Sequence, residues 1–374
     1  MKTFCRLIFI LRYDKILNMK LGYTKKITAI FAAIMLIFVA LICLTSSGCS
    51  YTIDYDYIKY DGEDGYYVVK AGGYVSSLTG TLEIPATYGE GDKEAPVKEI
   101  AQEGFRGCAI TRLIIPASIT KIGIAAFADC QQLEEVEFKE GSALTEIPQG
   151  TFGYDSSLAK LNLPDTVETI GYCAFLECKA LETVILPQNL KIITARAFEN
   201  CYALSRITFP EGLESIGYLA FYNSALTEVK IPDSVRDTQI SVTDEDGDDK
   251  TETLPGLGYG AFHTCRSLKK VVIGSGITVL KSGVFGYCDG LEEVCIPSSV
   301  TKIEGAYFSG GSFLYGHTFH NCTSLKTVNY AGTQEEWAQI QIENTPYSYS
   351  GSTFNNDALF KDKNDKLTIN LSQK

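Results

Sequence analysis

Cysteine, histidine and clustered carboxylates carry most of the chemistry available to this 374-residue sequence, and their spacing limits its use. Seven of the twelve cysteines (Cys108, Cys130, Cys178, Cys201, Cys265, Cys288 and Cys322) stand three residues after a phenylalanine. Asp155 and Ser224 hold the same place in two further copies. One cysteine per copy at a single position is the pattern of small side chains packed in an interior. In an exported chain, disulfides between neighbours such as Cys178/Cys201 or Cys265/Cys288 are the competing reading. Metal binding is a third, but the paired ligand spacing of zinc sites is missing. Cys173 and Cys295 fall outside the series, Cys295 at an outward strand position, and no His or Lys can be placed beside it to favour a thiolate.

Three histidines are few for acid–base work near neutral pH. His263 and His320 directly follow the repeating phenylalanine, where other copies have Arg106, Ala128, Leu176, Glu199 and Tyr222. His317 stands two residues before Phe319, at a place taken by Arg196 and Leu219 elsewhere. Positions this variable are expected on the surface, and a His317/His320 pair lacks a third metal ligand. The run Asp244-Glu245-Asp246-Gly247-Asp248-Asp249 alternates carboxylates in a way that suits calcium. An EF-hand loop, however, needs Gly at its sixth position and Glu at its twelfth. Counted from Asp244, Gly247 is fourth and Pro255 twelfth, so a solvated acidic loop is expected. No glycine-rich phosphate loop or nucleophile elbow precedes a helix. With 33 basic and 45 acidic residues, net −12, the chain is ill suited to nucleic acid or anionic membrane surfaces. The expectation is a protein that is not an enzyme and needs no cofactor.

The elements that position these residues are repeats. Phe105, Phe127, Phe152, Phe175, Phe198, Phe221, Phe262, Phe285 and Phe319 are spaced 22, 25, 23, 23, 23, 41, 23 and 34 residues apart. A period of 23 with three insertions accounts for the series. Five positions before each Phe comes an aliphatic residue, from Ile100 and Ile122 to Leu280 and Leu314. Leucine follows five or six residues after it (Ile110 in the first copy), then aliphatic residues run into Pro116, Pro164, Pro187, Pro210, Pro232 or Pro297. Segments such as Leu181–Pro187 read as short strands closed by proline. A unit this short cannot bury its own apolar face, so copies must stack. Phe308 keeps the 23-residue phase and Phe319 the motif phase, which leaves two candidates for the last core position.

The segment Ile170-Gly171-Tyr172-Cys173-Ala174-Phe175-Leu176-Glu177-Cys178, continued to Leu181, Val184, Leu186 and Pro187, resembles the BspA-like bacterial leucine-rich repeat. Ile216-Gly217-Tyr218-Leu219-Ala220-Phe221 and Ile122-Gly123-Ile124-Ala125-Ala126-Phe127 carry the same signature. Gly332-Thr333-Gln334-Glu335-Glu336-Trp337 resembles the segment that closes such arrays. The resemblance implies an α/β, β-rich fold: a right-handed parallel solenoid of nine repeats of ~23 residues with terminal caps. It also implies a surface-exposed, non-catalytic solenoid for adhesion or protein binding.

A basic start, an apolar run over Ile27–Thr45 and small residues up to Cys49 describe an export signal. Ser47-Gly48-Cys49 resembles a bacterial lipobox, which makes Cys49 the expected lipidation site; an uncleaved membrane anchor is the alternative. Either places the body on the extracellular side of the cell membrane, because flanking lysines favour the cytoplasm. Translation starts at Met1 or Met19. Cleavage before Cys49 leaves 26 basic and 44 acidic residues, net −18. The expected organisation is 1–48 signal, 49–96 N-terminal segment and cap, 97–331 solenoid, and 332–374 C-terminal cap and tail. Insertions are expected near 236–253 and 309–316.

The remaining candidate for function is the outward face of the repeat strands. Its variable pairs are Arg112/Ile114, Glu135/Glu137, Lys160/Asn162, Thr183/Ile185 and Arg206/Thr208, then Glu228/Lys230, Lys270/Val272, Glu293/Cys295 and Thr327/Asn329. Mixed charge without an aromatic or basic stripe suits an extracellular protein ligand bound by a monomer. The alternative is a carbohydrate-binding or scaffold module, with the tyrosines at 51, 55, 57, 60, 66 and 67 as its candidate contacts.

Overall fold

The computed structural model describes residues 52–58, 64–73, 75–243, 249–309, 312–343, 347–349, 352–354 and 367–372. The export signal, Cys49 and the acidic tip 244–248 lie outside the described residues.

Each copy of the repeat contributes two short strands. The strand before the proline lies beside its equivalent in the next copy, in parallel. Thr79–Glu83, Ala109–Ile115, Glu135–Phe138, Lys160–Asn162 and Thr183–Ile185 form one such sheet. Glu228–Lys230, Lys270–Val272, Glu293–Ile296, Thr327–Tyr330 and Thr368–Leu371 form the next. A second series of two-residue strands ends on the aliphatic residue five before Phe, as in Glu146–Ile147, Thr169–Ile170, Ile192–Ile193 and Ser215–Ile216. The protein is therefore the β-rich parallel solenoid that the repeat predicts. Among the described residues its only α-helix is Gln334–Gln339, opened by a reciprocal capping box between Thr333 and Glu336.

The side chains that set the period form the core. The nine phenylalanines make one continuous column, with ring centroids 5.1–5.9 Å apart and planes within 18° of parallel. Phe319 ends it, stacked on Phe285 at 5.5 Å. Phe308 instead lies in the hairpin strand Tyr307–Ser309, its side chain outside the described residues. Every core Phe before Phe319 sits in a tight arch whose flanking residues have left-handed backbone: Ala125 and Asp129, Cys173 and Glu177, Arg196 and Asn200 all have φ between 53° and 63°. Such a conformation costs a non-glycine residue about 1–2 kcal/mol. It is retained because it aims the Phe N–H groups at the next copy: Phe105 donates to Ala126, Phe175 to Ala197 and Phe262 to Val284. The Gly after the aliphatic residue has a separate cause. A Cβ on Gly171 would lie 2.7 Å from the Gln149 nitrogen of the preceding copy.

The ends and insertions follow from edge protection. Thr52–Ile58 pairs antiparallel with Tyr66–Gly72, which in turn pairs with Ala95–Ile100. Both insertions are hairpins, Thr238–Thr243 with Asp249–Leu254 and Tyr307–Ser309 with Ser312–Tyr315.

Candidate functional site

Stacking in register turns the variable strand pairs into two rows. Arg112, Glu135, Lys160, Thr183 and Arg206 are successive partners in the first. Glu228, Lys270, Glu293 and Thr327 continue it in the second sheet. The other row places Ile114 by Glu137 and Asn162 by Ile185, then Lys230, Val272, Cys295 and Asn329. Thr208 lies beyond the paired residues of the first sheet. Opposite charges meet across copies. Arg112 pairs with Glu135 at 3.5 Å and with Glu137 at 2.6 Å, and Lys270 pairs with Glu293 at 3.0 Å. Lys139 and Arg112 hold the Glu137 carboxyl below its ordinary range, and Lys270 does the same for Glu293. Asn329 adds a 2.8 Å hydrogen bond to Glu293, and Asn370 donates to Asn329 at 2.7 Å. Lys160 and Arg206 have no ion pair among the described residues.

The cysteine series lies inside, and all nine described cysteines are free thiols. Its chemistry is a repeated hydrogen bond. The thiols of Cys130, Cys178, Cys201, Cys265, Cys288 and Cys322 each donate to the carbonyl of the preceding copy's core Phe, at 3.1–3.3 Å. A small side chain with a weak donor is what this buried carbonyl requires. Cys108, the first of the series, contacts Cys130 sulfur to sulfur at 3.1 Å. Burial pushes the thiols of Cys178, Cys201, Cys265, Cys288 and Cys322 up, Cys265 to about 11, whereas the contact with Cys130 lowers Cys108. Asp155, in a cysteine position, accepts the Cys130 N–H through Oδ1 at 2.8 Å, while its Oδ2 has no partner. Burial raises this carboxyl well above its ordinary range.

The histidines correct the reading of variable positions as surface. His317 is fully buried and His320 is 7% exposed. The cause is lateral stacking: a position that changes in type still packs against its equivalent in the next copy. Tyr222, His263, Tyr287 and His320 form a file of rings with centroids 5.6, 5.3 and 4.9 Å apart. Burial lowers His263 and His320 to about 4, so both imidazoles are neutral at pH 7. This aromatic file is visible in the sequence, one or two places after the Phe. Its largely face-to-face packing at Tyr222 and His263 leaves little ring face for a sugar. Among the described residues no three His, Cys, Asp or Glu side chains gather as metal ligands would.

With the coils, the Phe column and the thiol hydrogen bonds in place, comparison with known proteins is direct. The BspA type leucine rich repeat region matches in six copies, over residues 98–153, 141–242 and 250–360, more than half of the chain. The chain belongs to the BspA-type leucine-rich-repeat family. No curated protein matches it in sequence. Among solved structures it is similar to a leucine rich cell surface protein from Faecalibacterium prausnitzii (23% identity, TM-score 0.43), over 79% of this chain and 98% of that one. It is also similar to the pneumococcal vaccine antigen PcpA (18% identity, TM-score 0.33; 87% and 99%). A third is a leucine-rich repeat protein from Eubacterium ventriosum (20%, 0.40; 74% and 69%).

A cleft of about 400 Å³ opens between Thr183–Leu186 and Arg206–Glu211. Phe209 lines it, where Ile115, Leu163, Leu186, Ile231 and Ile296 precede proline in other copies and Phe138 and Tyr330 hold the equivalent place in two more. The Phe209 ring makes edge contacts with Phe221 at 5.5 Å and Phe262 at 6.4 Å. The strand of that copy is reduced to one bridge, Thr183 to Arg206. Sequence reasoning missed the cleft, and the aromatic alone does not signal it, because Phe138 and Tyr330 hold the equivalent position in strands that stay paired. Among the described residues no helix is long and apolar enough to cross a membrane.

Proposed function

We propose that this chain is a bacterial cell-surface leucine-rich-repeat protein that binds a protein partner through the outward strand face, in adhesion to host or neighbouring-cell proteins. The observation that carries this reading is the registered pair of rows on that face. Charges of both signs, fixed at one position per copy by the parallel ladder, make a rigid pattern that a protein surface can complement. On this face the Cys295 thiol donates to the Glu293 carboxylate at 3.6 Å, and in the interior burial raises the thiols of Cys178, Cys201, Cys265, Cys288 and Cys322 rather than activating them. Lipidation at Cys49 would hold the protein at the outer side of the membrane as a monomer, with no cofactor.

The test uses an array of purified extracellular-matrix and cell-surface proteins. Wild type should retain a partner that is lost when Glu135, Lys160, Glu228 and Lys270 are reversed in charge together. Equal retention by the reversed variant removes the face from the mechanism. For the anchor, Cys49→Ala should move the protein from the membrane fraction to the medium or leave an uncleaved precursor; unchanged retention overturns lipidation.

A further inference from the structure

The cleft at Phe209 coincides with a gap in the main-chain pairing of the strand face. In several copies the residue that follows the strand donates to the next strand: Ile84 to Ile114, Ile231 to Val272 and Ile273 to Cys295. Across the cleft the equivalent bond, from Leu186 to Thr208, is missing among the described residues. The Leu186 N–H and the Thr208 carbonyl therefore lack that bond at the cleft, while Thr183 and Arg206 stay bridged. Unpaired strand edges of this kind accept an added strand.

Two further observations say what that strand carries. Ile185, on one wall, is 68% exposed, the highest value among the exposed large hydrophobic side chains of the described residues. Lys160 and Arg206 flank Thr183 in register, two copies apart, on the order of 10 Å. Arg112, Lys230 and Lys270 on the same face are each paired with a glutamate. Lys160 and Arg206 are not, and they make an open cationic spot in a chain of net charge −12. Glu135 and Glu228 lie one copy outside the spot and bound it along the axis.

We propose that this gap is a docking site for an extended acidic peptide segment of a partner protein. The segment pairs its main chain with the open edges at Leu186 and Thr208, sets an apolar side chain on Ile185, and places carboxylates against Arg206 and Lys160. A glycan is the poorer fit, because the aromatic ring in the cleft, Phe209, is buried and offers no stacking face. The site rests on the reading that the outward face binds protein, and it can fail on its own.

The experiment measures binding of the full-length protein, in detergent micelles, to fluorescent heptapeptides that alternate Glu and Val. Control peptides replace Glu by Lys, or place Pro at alternate positions to remove main-chain donors. The Glu–Val peptide should bind, and both controls should be weaker by about tenfold or more. Arg206→Glu, on an exposed side chain, should weaken the Glu–Val peptide by a similar factor while leaving the thermal midpoint unchanged. Phe209→Ile, which replaces the ring that lines the cleft, should weaken it as well. Equal binding of the Pro control, or equal binding by Arg206→Glu, overturns the site. So does an Arg206-dependent complex with polygalacturonate when the peptide does not bind. If the protein array above yields a partner that survives Arg206→Glu but not the four-charge reversal, the docking site is wrong and the face reading stands.

Discussion

At the residue scale the thiol series explains its own exceptions. Cysteine is retained where a buried Phe carbonyl needs a donor, and Asp155 breaks the pattern with a carboxyl that burial raises well above its ordinary range. The folded protein then holds a proton that the unfolded chain releases above the ordinary carboxylate range. Stability from this group is full at low pH and is lost as pH rises toward its raised value. Asp155→Cys should therefore raise the thermal midpoint at pH 7 more than at pH 4; an equal shift at both would show that Asp155 is ionised in the fold. The histidines act with the opposite sign. His263 and His320 titrate near 4 in the fold against an ordinary 6.5, so stability is present above 6.5 and falls as pH drops toward 4. Replacing both by Phe keeps the ring file and should flatten the stability curve across that window in urea titrations. An unchanged slope would place the acid sensitivity elsewhere.

At the element scale the repeat is an arch held between two left-handed residues, joined to a strand by a glycine that the preceding copy crowds. Gly107 differs from those glycines: its φ is +72°, and the space a methyl group would occupy is open to 4 Å. Gly107→Ala thus isolates the backbone cost and should destabilise by about 1–2 kcal/mol in denaturant melts; no loss would mean that the arch relaxes. Much of this element is legible in the sequence. Phe, Cys, the aliphatic residue and proline recur at fixed offsets, and each offset becomes a contact: ring on ring, thiol on carbonyl, strand beside strand. The histidines are not legible in this way, because variability suggests exposure whereas lateral stacking buries whatever residue a file contains. The arches are not readable at all. Ala125, Glu177 and Leu219 are ordinary residues whose positive φ is imposed by the neighbouring copy rather than by local preference. The sheet gap is not legible either, since Phe138 and Tyr330 share the position of Phe209 and their strands stay paired.

At the scale of the whole molecule, stability is a sum of neighbour contacts along one axis. Removing the middle ring with Phe198→Ala leaves a cavity between Phe175 and Phe221 and should cost about 3–5 kcal/mol. The damage should stay local: amide exchange at Phe175 and Phe221 should accelerate while Phe285 stays protected. Uniform acceleration would mean that the array melts as one unit. The ring column crosses the strand gap without interruption, from Phe198 to Phe221 to Phe262 at 5.2 and 5.4 Å. Spine and flank are thus separable in mechanical terms. Load applied along the axis passes through the rings, and the flank at Phe209 is the compliant place, able to widen for an incoming chain without unseating the column that holds the two halves together.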